Sequence, residues 1–255
     1  LEDKFDNGMS QWNGDTVPAT GSNMYWYARK EEKLEEGKEP VKALAYMASA
    51  HDYELSINGT RIGRGQSFDY SDETHYQGWD ITEALGDDDT ISIGVLDRWY
   101  SGGQGRAAGK PGLLGEIVVY YNDGSYQTIS TGEDWVAEDA PLSGSTKRNG
   151  EGDFVEEYDA RKAIDNYSEV GFDDSSWQNV YVLGEHPTDP FTNVQSELGH
   201  VTEETVQPET ITTLEDGTTI VDFGRVIPAR FSVNFANGKA GQKLTLITGY
   251  ELKDD

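Results

Sequence analysis

Apolar and polar residues alternate along much of this chain with a period of two. From 52 to 57, Tyr53, Leu55 and Ile57 fall on one side, and Asp52, Glu54 and Ser56 on the other, as in a half-buried strand. Asn58-Gly59 follows at once, the strongest short-range signal for a hairpin turn. Between 43 and 48 the same alternation sets Ala43, Ala45 and Met47 against Leu44, Tyr46 and Ala48. Further strands are predicted at 90–96, 113–121, 126–131, 177–183, 218–223, 229–235 and 243–250. Asp87-Asp88-Asp89, Asn122-Asp123-Gly124, Glu215-Asp216-Gly217 and Asn237-Gly238 supply turns between them. Helix is confined to short pieces, 81–85 and a turn near 173–177. Many strands at short spacing, broken by Gly, Asn and Asp, predict an all-β antiparallel sandwich.

The strand pattern lapses between 187 and 207, a stretch that holds Pro187, Pro190 and Gly199. It resumes for the last fifty or so residues. The expected organisation is a β-sandwich over 1–190, a linker over 191–207, and a second β-unit over 208–255. No solenoid or propeller repeat is visible.

Composition narrows the function classes. Only 35% of the 255 residues are apolar, but 14 Tyr, 8 Phe and 6 Trp give the core bulk and argue against disorder. There is no cysteine, so neither disulfides nor thiolate metal sites contribute. No apolar run approaches the ~18 residues of a membrane span. The formal net charge of −27 repels nucleic acid, anionic lipid and polyanionic glycans. Nucleic acid and membrane are therefore not expected partners. The same carboxylates suit a hard cation such as calcium, which takes six to eight oxygen ligands.

Several motifs have simpler explanations than chemistry. Asp222-Phe223-Gly224 spells a kinase magnesium triplet but lacks every other kinase element. Gly63-Arg64-Gly65 and Gly103-Gln104-Gly105 precede no helix that would present N–H groups to a phosphate, and read as turn glycines. His51, His75, His186 and His200 show no zinc-like spacing. With 47 acidic residues, no catalytic carboxylate pair stands out. Asn58-Gly59-Thr60 and Asn166-Tyr167-Ser168 match the glycosylation pattern, though the first is already explained by its turn.

Five runs point further: Ile57-Asn58-Gly59-Thr60-Arg61-Ile62-Gly63, Tyr76-Gln77-Gly78-Trp79-Asp80-Ile81-Thr82, Asp97-Arg98-Trp99-Tyr100-Ser101-Gly102, Glu157-Tyr158-Asp159-Ala160-Arg161 and Gly171-Phe172-Asp173-Asp174-Ser175-Ser176-Trp177. Together they resemble the N-terminal β-sandwich region of bacterial α-L-rhamnosidases, glycoside hydrolase family 78. Val221-Asp222-Phe223-Gly224 and the run from Asn237 to Leu244 resemble the start of that family's second β-domain. The resemblance implies a jelly-roll-like sandwich followed by the truncated start of a second. It places acid/base catalysis in a helical barrel further along the parent chain, so this region is expected to be non-catalytic. It also implies a likeness to rhamnose-binding carbohydrate modules (family 67), in which calcium helps hold the sugar hydroxyls. On that likeness the sugar site comprises Asp52, Trp79, Asp97 and Pro111, with Asp52 and Asp97 as calcium ligands and Trp79 as the stacking face. His51 departs from the pattern, standing where the modules carry an oxygen ligand. Two roles follow from the resemblance: a module that holds a rhamnosyl glycan, or one that only packs against the catalytic domain of the same parent.

Overall fold

The computed structural model describes residues 9–11, 23–66, 73–100, 110–145, 155–197, 199, 202–234 and 236–249. The chain divides into two compact units, Leu1–Val201 and Thr202–Asp255.

The first unit is built on two sheets, with strands numbered along the chain. One sheet contains β1 (Met9–Gln11), β3 (Pro40–Ser49), β6 (Thr74–Asp80), β8 (Leu113–Tyr121), β9 (Tyr126–Ser130), β14 (Tyr181–Gly184) and β15 (Val194–Ser196). Its order is β14-β1-β8-β3-β6-β15, with β9 also pairing β8. The other contains β2 (Met24–Lys33), β4 (Asp52–Ile57), β5 (Thr60–Gln66), β7 (Thr90–Trp99), β10 (Val136–Asp139) and β13 (Gln178–Asn179), in the order β13-β10-β2-β7-β4-β5. A hairpin of β11 (Leu142–Ser145) and β12 (Val155–Tyr158) stands beside them. Every described pairing is antiparallel except β15 on β6. The fold is thus an antiparallel β-sandwich.

The period of two decides what each face does. Ala43, Ala45 and Met47 from β3 meet Ile91, Ile93 and Val95 from β7 and Ile117 and Val119 from β8 in one core, in which Trp26 and Trp135 are the bulkiest fully buried side chains. The opposite faces are covered too. Ala48 and Leu114 lie under Phe191, and Tyr25 and Tyr27 lie under Trp177. This double burial explains why 43–48 is apolar on both sides.

The Asn58-Gly59 turn forms as expected, with φ of 47° and 77°, the left-handed pair a two-residue hairpin needs. The Asn58 side chain is itself built into the fold. Its Nδ2 donates to the Leu85 carbonyl at 2.9 Å and its Oδ1 accepts from the Ser92 N–H at 2.7 Å. That leaves its amide engaged at both ends, which fits a turn residue and not a glycan acceptor. The expected helix at 81–85 is a single 3₁₀ turn, Thr82–Leu85.

The segment read as a linker, 191–207, begins inside the first unit: Phe191 is fully buried and β15 extends the first sheet. Proline and glycine content had suggested otherwise, but an edge strand of three residues leaves almost no periodic trace. In the second unit, β16 (Thr210–Thr213) and β17 (Thr219–Asp222) form a hairpin. The strands expected at 229–235 and 243–250 are not formed among the described residues there. A strand exists only with a hydrogen-bonded neighbour, and alternation alone does not supply one. Asp222 accepts from the Gly224 N–H at 2.7 Å, so the Asp-Phe-Gly triplet is a local turn.

Candidate functional site

Asp52 opens β4 and sits across from Arg98 on β7. Its Oδ1 accepts from Arg98 Nη1 and from Arg64 Nε, both at 3.1 Å, and its Oδ2 accepts from Arg64 Nε at 2.8 Å and from Arg64 Nη2. The residue is only 4% exposed. Two guanidinium groups, one of them bidentate, hold this carboxylate in a strong charge-assisted arrangement. A cation would compete with both for the same oxygens. One step along the same face, Glu54 accepts from Arg61 at 2.9 Å.

Asp97 lies one position before Arg98, opposite Tyr53. Since alternate residues point to opposite faces, Asp97 and Tyr53 turn into the sandwich while Asp52 and Arg98 turn out of it. The two nominated carboxylates therefore lie on opposite faces of one sheet. Asp97 is completely buried, and neither oxygen makes a hydrogen bond of ordinary geometry. Burial pushes its pKa well above the usual carboxylate range; the nearby Asp52 charge adds to the rise, while Ser49 and Arg98 oppose it.

This predicts a pH dependence. The folded state keeps a proton that the unfolded chain gives up near pH ~4. Stability from this group is therefore complete below that pH and is lost as pH rises through the folded pKa. Asp97→Asn removes the titration, so the stability difference between variant and parent should move in the variant's favour as pH rises from about 4. Thermal unfolding of both proteins across that range checks this. A difference that stays constant would show that Asp97 ionises normally.

Trp79 reaches from β6 in the first sheet toward β4 and β5 in the second. Its indole N–H donates to the Tyr53 hydroxyl at 2.9 Å, and Tyr53 in turn donates to the Met47 carbonyl at 3.3 Å. Its ring covers the backbone at Gly63, where a Cβ would come within 2.5 Å of it. Pro111 is buried beside Gly112, which packs against Phe191, Leu183 and Pro190. His51 is buried as well, with Nδ1 accepting from the Tyr100 N–H at 2.7 Å and the ring stacked near Trp99 and Tyr100. Tyr53 thus draws Trp79 and Asp97 together, Asp52 stands on the other face, and Pro111 belongs to a separate contact. Among the described residues, no group of three or more His, Asp or Glu side chains is arranged to hold a metal ion. Gly103-Gln104-Gly105 and His200 lie outside the described residues.

Two of the runs that carry the resemblance, Glu157–Arg161 and Gly171–Trp177, bracket a feature whose place over the outer face of the second sheet the sequence did not predict. Residues 159–177 form a strap over β2, β7 and β4. At its start Arg161 grips Asp159 through Nε at 2.7 Å and Nη2 at 2.8 Å, and this bonding draws the Asp159 carboxyl down to about 2. Asn166 and Gly171 take left-handed φ of 61° and 78° to turn the chain. The strap lies so close to β7 that a Cβ on Gly94 would come within 2.5 Å of Ser168 Cβ. Arg29 of β2 secures it from below. Its Nη1 donates to Asp174 and to the Phe172 carbonyl at 3.3 Å; its Nη2 donates to the Glu169 carbonyl at 3.2 Å, to Ser92 Oγ at 3.0 Å and to Glu31 at 3.1 Å. Between strap and sheet lies a cleft of about 280 Å³, lined among others by Tyr27, Glu54, Tyr158 and Asp165. An arginine following the apolar run Met24–Ala28 was the one sequence signal that something charged must lie above β2.

A family model described as the alpha-L-rhamnosidase N-terminal domain matches residues 38–208. An α-L-rhamnosidase of Streptomyces avermitilis is 30% identical over 183 residues, covering 68% of this chain and 17% of that protein. The solved structure of α-L-rhamnosidase from Dictyoglumus thermophilum superposes with a TM-score of 0.61 at 27% identity, covering 79% of this chain and 22% of that one. The Streptomyces avermitilis α-L-rhamnosidase complexed with L-rhamnose superposes with a TM-score of 0.61 at 24% identity, over 80% of this chain and 20% of that one. The chain thus spans less than a quarter of the length of each of these relatives.

Proposed function

The chain belongs to the α-L-rhamnosidase N-terminal domain family, and on that premise we propose that it is a non-catalytic accessory module of an α-L-rhamnosidase. The observation that carries this reading is the use already made of its conspicuous polar groups. Glycoside hydrolysis needs two carboxyl groups that reach the scissile bond from a separation of ~5–10 Å. Asp97 is sealed inside the sandwich and Asp52 is held by Arg64 and Arg98. Both act as scaffold. The proposed parent hydrolyses terminal α-L-rhamnosyl groups in a catalytic domain elsewhere along the same polypeptide, and this module packs against that domain. The 255-residue chain should release no rhamnose from an aryl α-L-rhamnoside. Turnover that persists through repurification and vanishes on mutation of one carboxylate would overturn the proposal.

A second reading gives the module a rhamnose site at Asp52, Trp79, Asp97 and Pro111, with calcium on the two carboxylates. It is favoured by the relative whose structure holds L-rhamnose. It requires Asp52 to leave both arginines and Asp97 to reach the opposite face. Calorimetry with L-rhamnose in calcium, repeated in EDTA, tests it. Binding that EDTA abolishes and Trp79→Ala weakens supports this site; heat unchanged by either removes it.

A further inference from the structure

We propose that Asn237, in the second unit, is a site of spontaneous covalent modification. The Asn237-Gly238 step closes to a succinimide and opens to aspartate or isoaspartate, while the same dipeptide at Asn58-Gly59 is locked against that reaction. The inference is independent of the accessory-module reading.

Ring closure needs two freedoms. The backbone N–H after the asparagine must be unengaged, and the side-chain amide must be able to swing over it. Glycine in the second position helps, since no Cβ shields the nitrogen. Asn58-Gly59 has neither freedom. The Asn58 Nδ2 donates to the Leu85 carbonyl at 2.9 Å, its Oδ1 accepts from the Ser92 N–H at 2.7 Å, and the Gly59 N–H donates to the Ser168 carbonyl of the strap at 2.9 Å. The Asp-Gly steps, which react through the same ring, are held in the same way. Asp123 Oδ1 accepts from the Ser125 N–H at 2.8 Å, and the Gly124 N–H donates to the Tyr121 carbonyl at 3.0 Å. Asp216 accepts from the Thr218 N–H at 2.8 Å and from its hydroxyl at 3.0 Å, and the Gly217 N–H donates to the Leu214 carbonyl at 3.0 Å. Asn237-Gly238 differs at every point. Both residues are exposed, and a Cβ at Gly238 would meet nothing within 4 Å. Among the described residues no hydrogen bond engages the Asn237 amide or the Gly238 N–H; the turn is closed instead between Lys239 and Gln242, through bonds of 3.3 and 3.0 Å.

The reaction needs only water and hydroxide. The Gly238 nitrogen gives its proton to hydroxide and attacks Asn237 Cγ. A new C–N bond closes the succinimide, the Cγ–Nδ2 bond breaks, and the leaving nitrogen takes a proton from water and departs as ammonia. Water then adds to one of the two imide carbonyls. Opening at Cγ leaves aspartate on the original backbone; opening at the main-chain carbonyl leaves isoaspartate, with the backbone running through the side-chain carbon. Either product adds one negative charge to a chain already at −27. The isoaspartyl product also lengthens the turn between 229–235 and 243–250 by a methylene, where the left-handed φ of 59° at Asn237 now suits a tight reversal.

Incubating the folded 255-residue chain at mildly alkaline pH, followed by peptide mapping with mass spectrometry, tests the assignment. The peptide holding Asn237 should gain the mass difference between a hydroxyl and an amino group, and isoaspartyl methyltransferase should label part of the product. Three hydrogen bonds must open before Asn58-Gly59 can react, each worth about fivefold, so Asn58 should convert about a hundredfold more slowly than Asn237. In guanidinium chloride, where those bonds are gone, the two rates should converge. Gly238→Ala, which meets no neighbour in the fold, should slow conversion at Asn237 sharply because its Cβ crowds the nucleophile. Asn7-Gly8, Asn13-Gly14 and Asn149-Gly150 lie outside the described residues, and the map reads their peptides separately. Equal rates at Asn58 and Asn237 in the folded chain would overturn the proposal. So would an Asn237 that stays unmodified while the denatured chain reacts, a difference that persists in denaturant, or a rate indifferent to Gly238→Ala.

Discussion

Replacing Arg29 with alanine should cost about 3–5 kcal/mol of stability, the usual penalty for breaking a buried ion pair by removing one partner. Arg29 is 1% exposed, and its guanidinium serves two carboxylates, two backbone carbonyls and a serine hydroxyl, with the Phe172 ring 5.4 Å away. Deleting it takes a donor from the carbonyls of Phe172 and Glu169, the second of which keeps only the Phe172 N–H at 3.4 Å, and leaves Glu31 and Asp174 as neighbouring uncompensated charges. Lysine keeps the charge but not the planar fork, so Arg29→Lys should recover only part of the loss. Urea unfolding measures the cost, and amide exchange shows where it falls. Protection should drop first at 169–174, before the core strands. A loss under about 1 kcal/mol, the scale of a surface pair, with unchanged exchange in the strap would mean that the strap is held by its aromatic contacts alone.

Gly65→Ala should destabilise by about 3 kcal/mol, the upper end for overpacking. A Cβ at Gly65 would fall 1.9 Å from the Tyr53 ring. That ring has little room to retreat. Tyr53 is 2% exposed, and its hydroxyl is bonded to Trp79 on the opposite sheet and to Met47. The test is a double-mutant cycle: Tyr53→Leu vacates the space, so adding Gly65→Ala to it should cost much less than in the parent. Strict additivity would show that the clash is relieved by backbone movement. At Gly37 a Cβ would meet nothing within 4 Å, and alanine there should cost only what its φ of 76° imposes, about 1 kcal/mol.

How much of this was legible in the residues depended on the distance over which each feature is decided. The Asn58-Gly59 hairpin and the strands at Thr90–Trp99, Leu113–Tyr121 and Tyr126–Ser130 are local, and their alternation and turns predicted them. β2 was missed because its second half, Arg29 to Lys33, is charged at every position. The charges make sense only once the strap and Asp134 are seen beside them. The site was harder still. Asp52 and Asp97 share a sheet, and a register of one residue between β4 and β7 sends them to opposite faces. Register between strands so far apart in sequence is set by the packed core, which no single segment encodes. The cleft was hidden for the same reason, since Tyr27, Leu96, Glu54 and Asp165 become neighbours only through long-range pairing.

The interleaving of the two sheets also fixes the order in which the protein can be made. β2 leaves a ribosome before both of its neighbours, β7 and β10, and Val136–Asp139 is synthesised more than a hundred residues later. β3 likewise waits for β6 and β8. A nascent chain that has reached residue 89 carries Trp26, Ala43, Ala45 and Met47 with none of the Ile91–Val95 surface they will pack against. Pairings of such long reach close slowly, on the millisecond-to-second scale of other β-sandwiches. Throughout that interval the apolar faces of β2 and β3 are open to any other strand in the cell, so the surplus of negative charge also serves the unfinished chain, keeping one copy from pairing with the next.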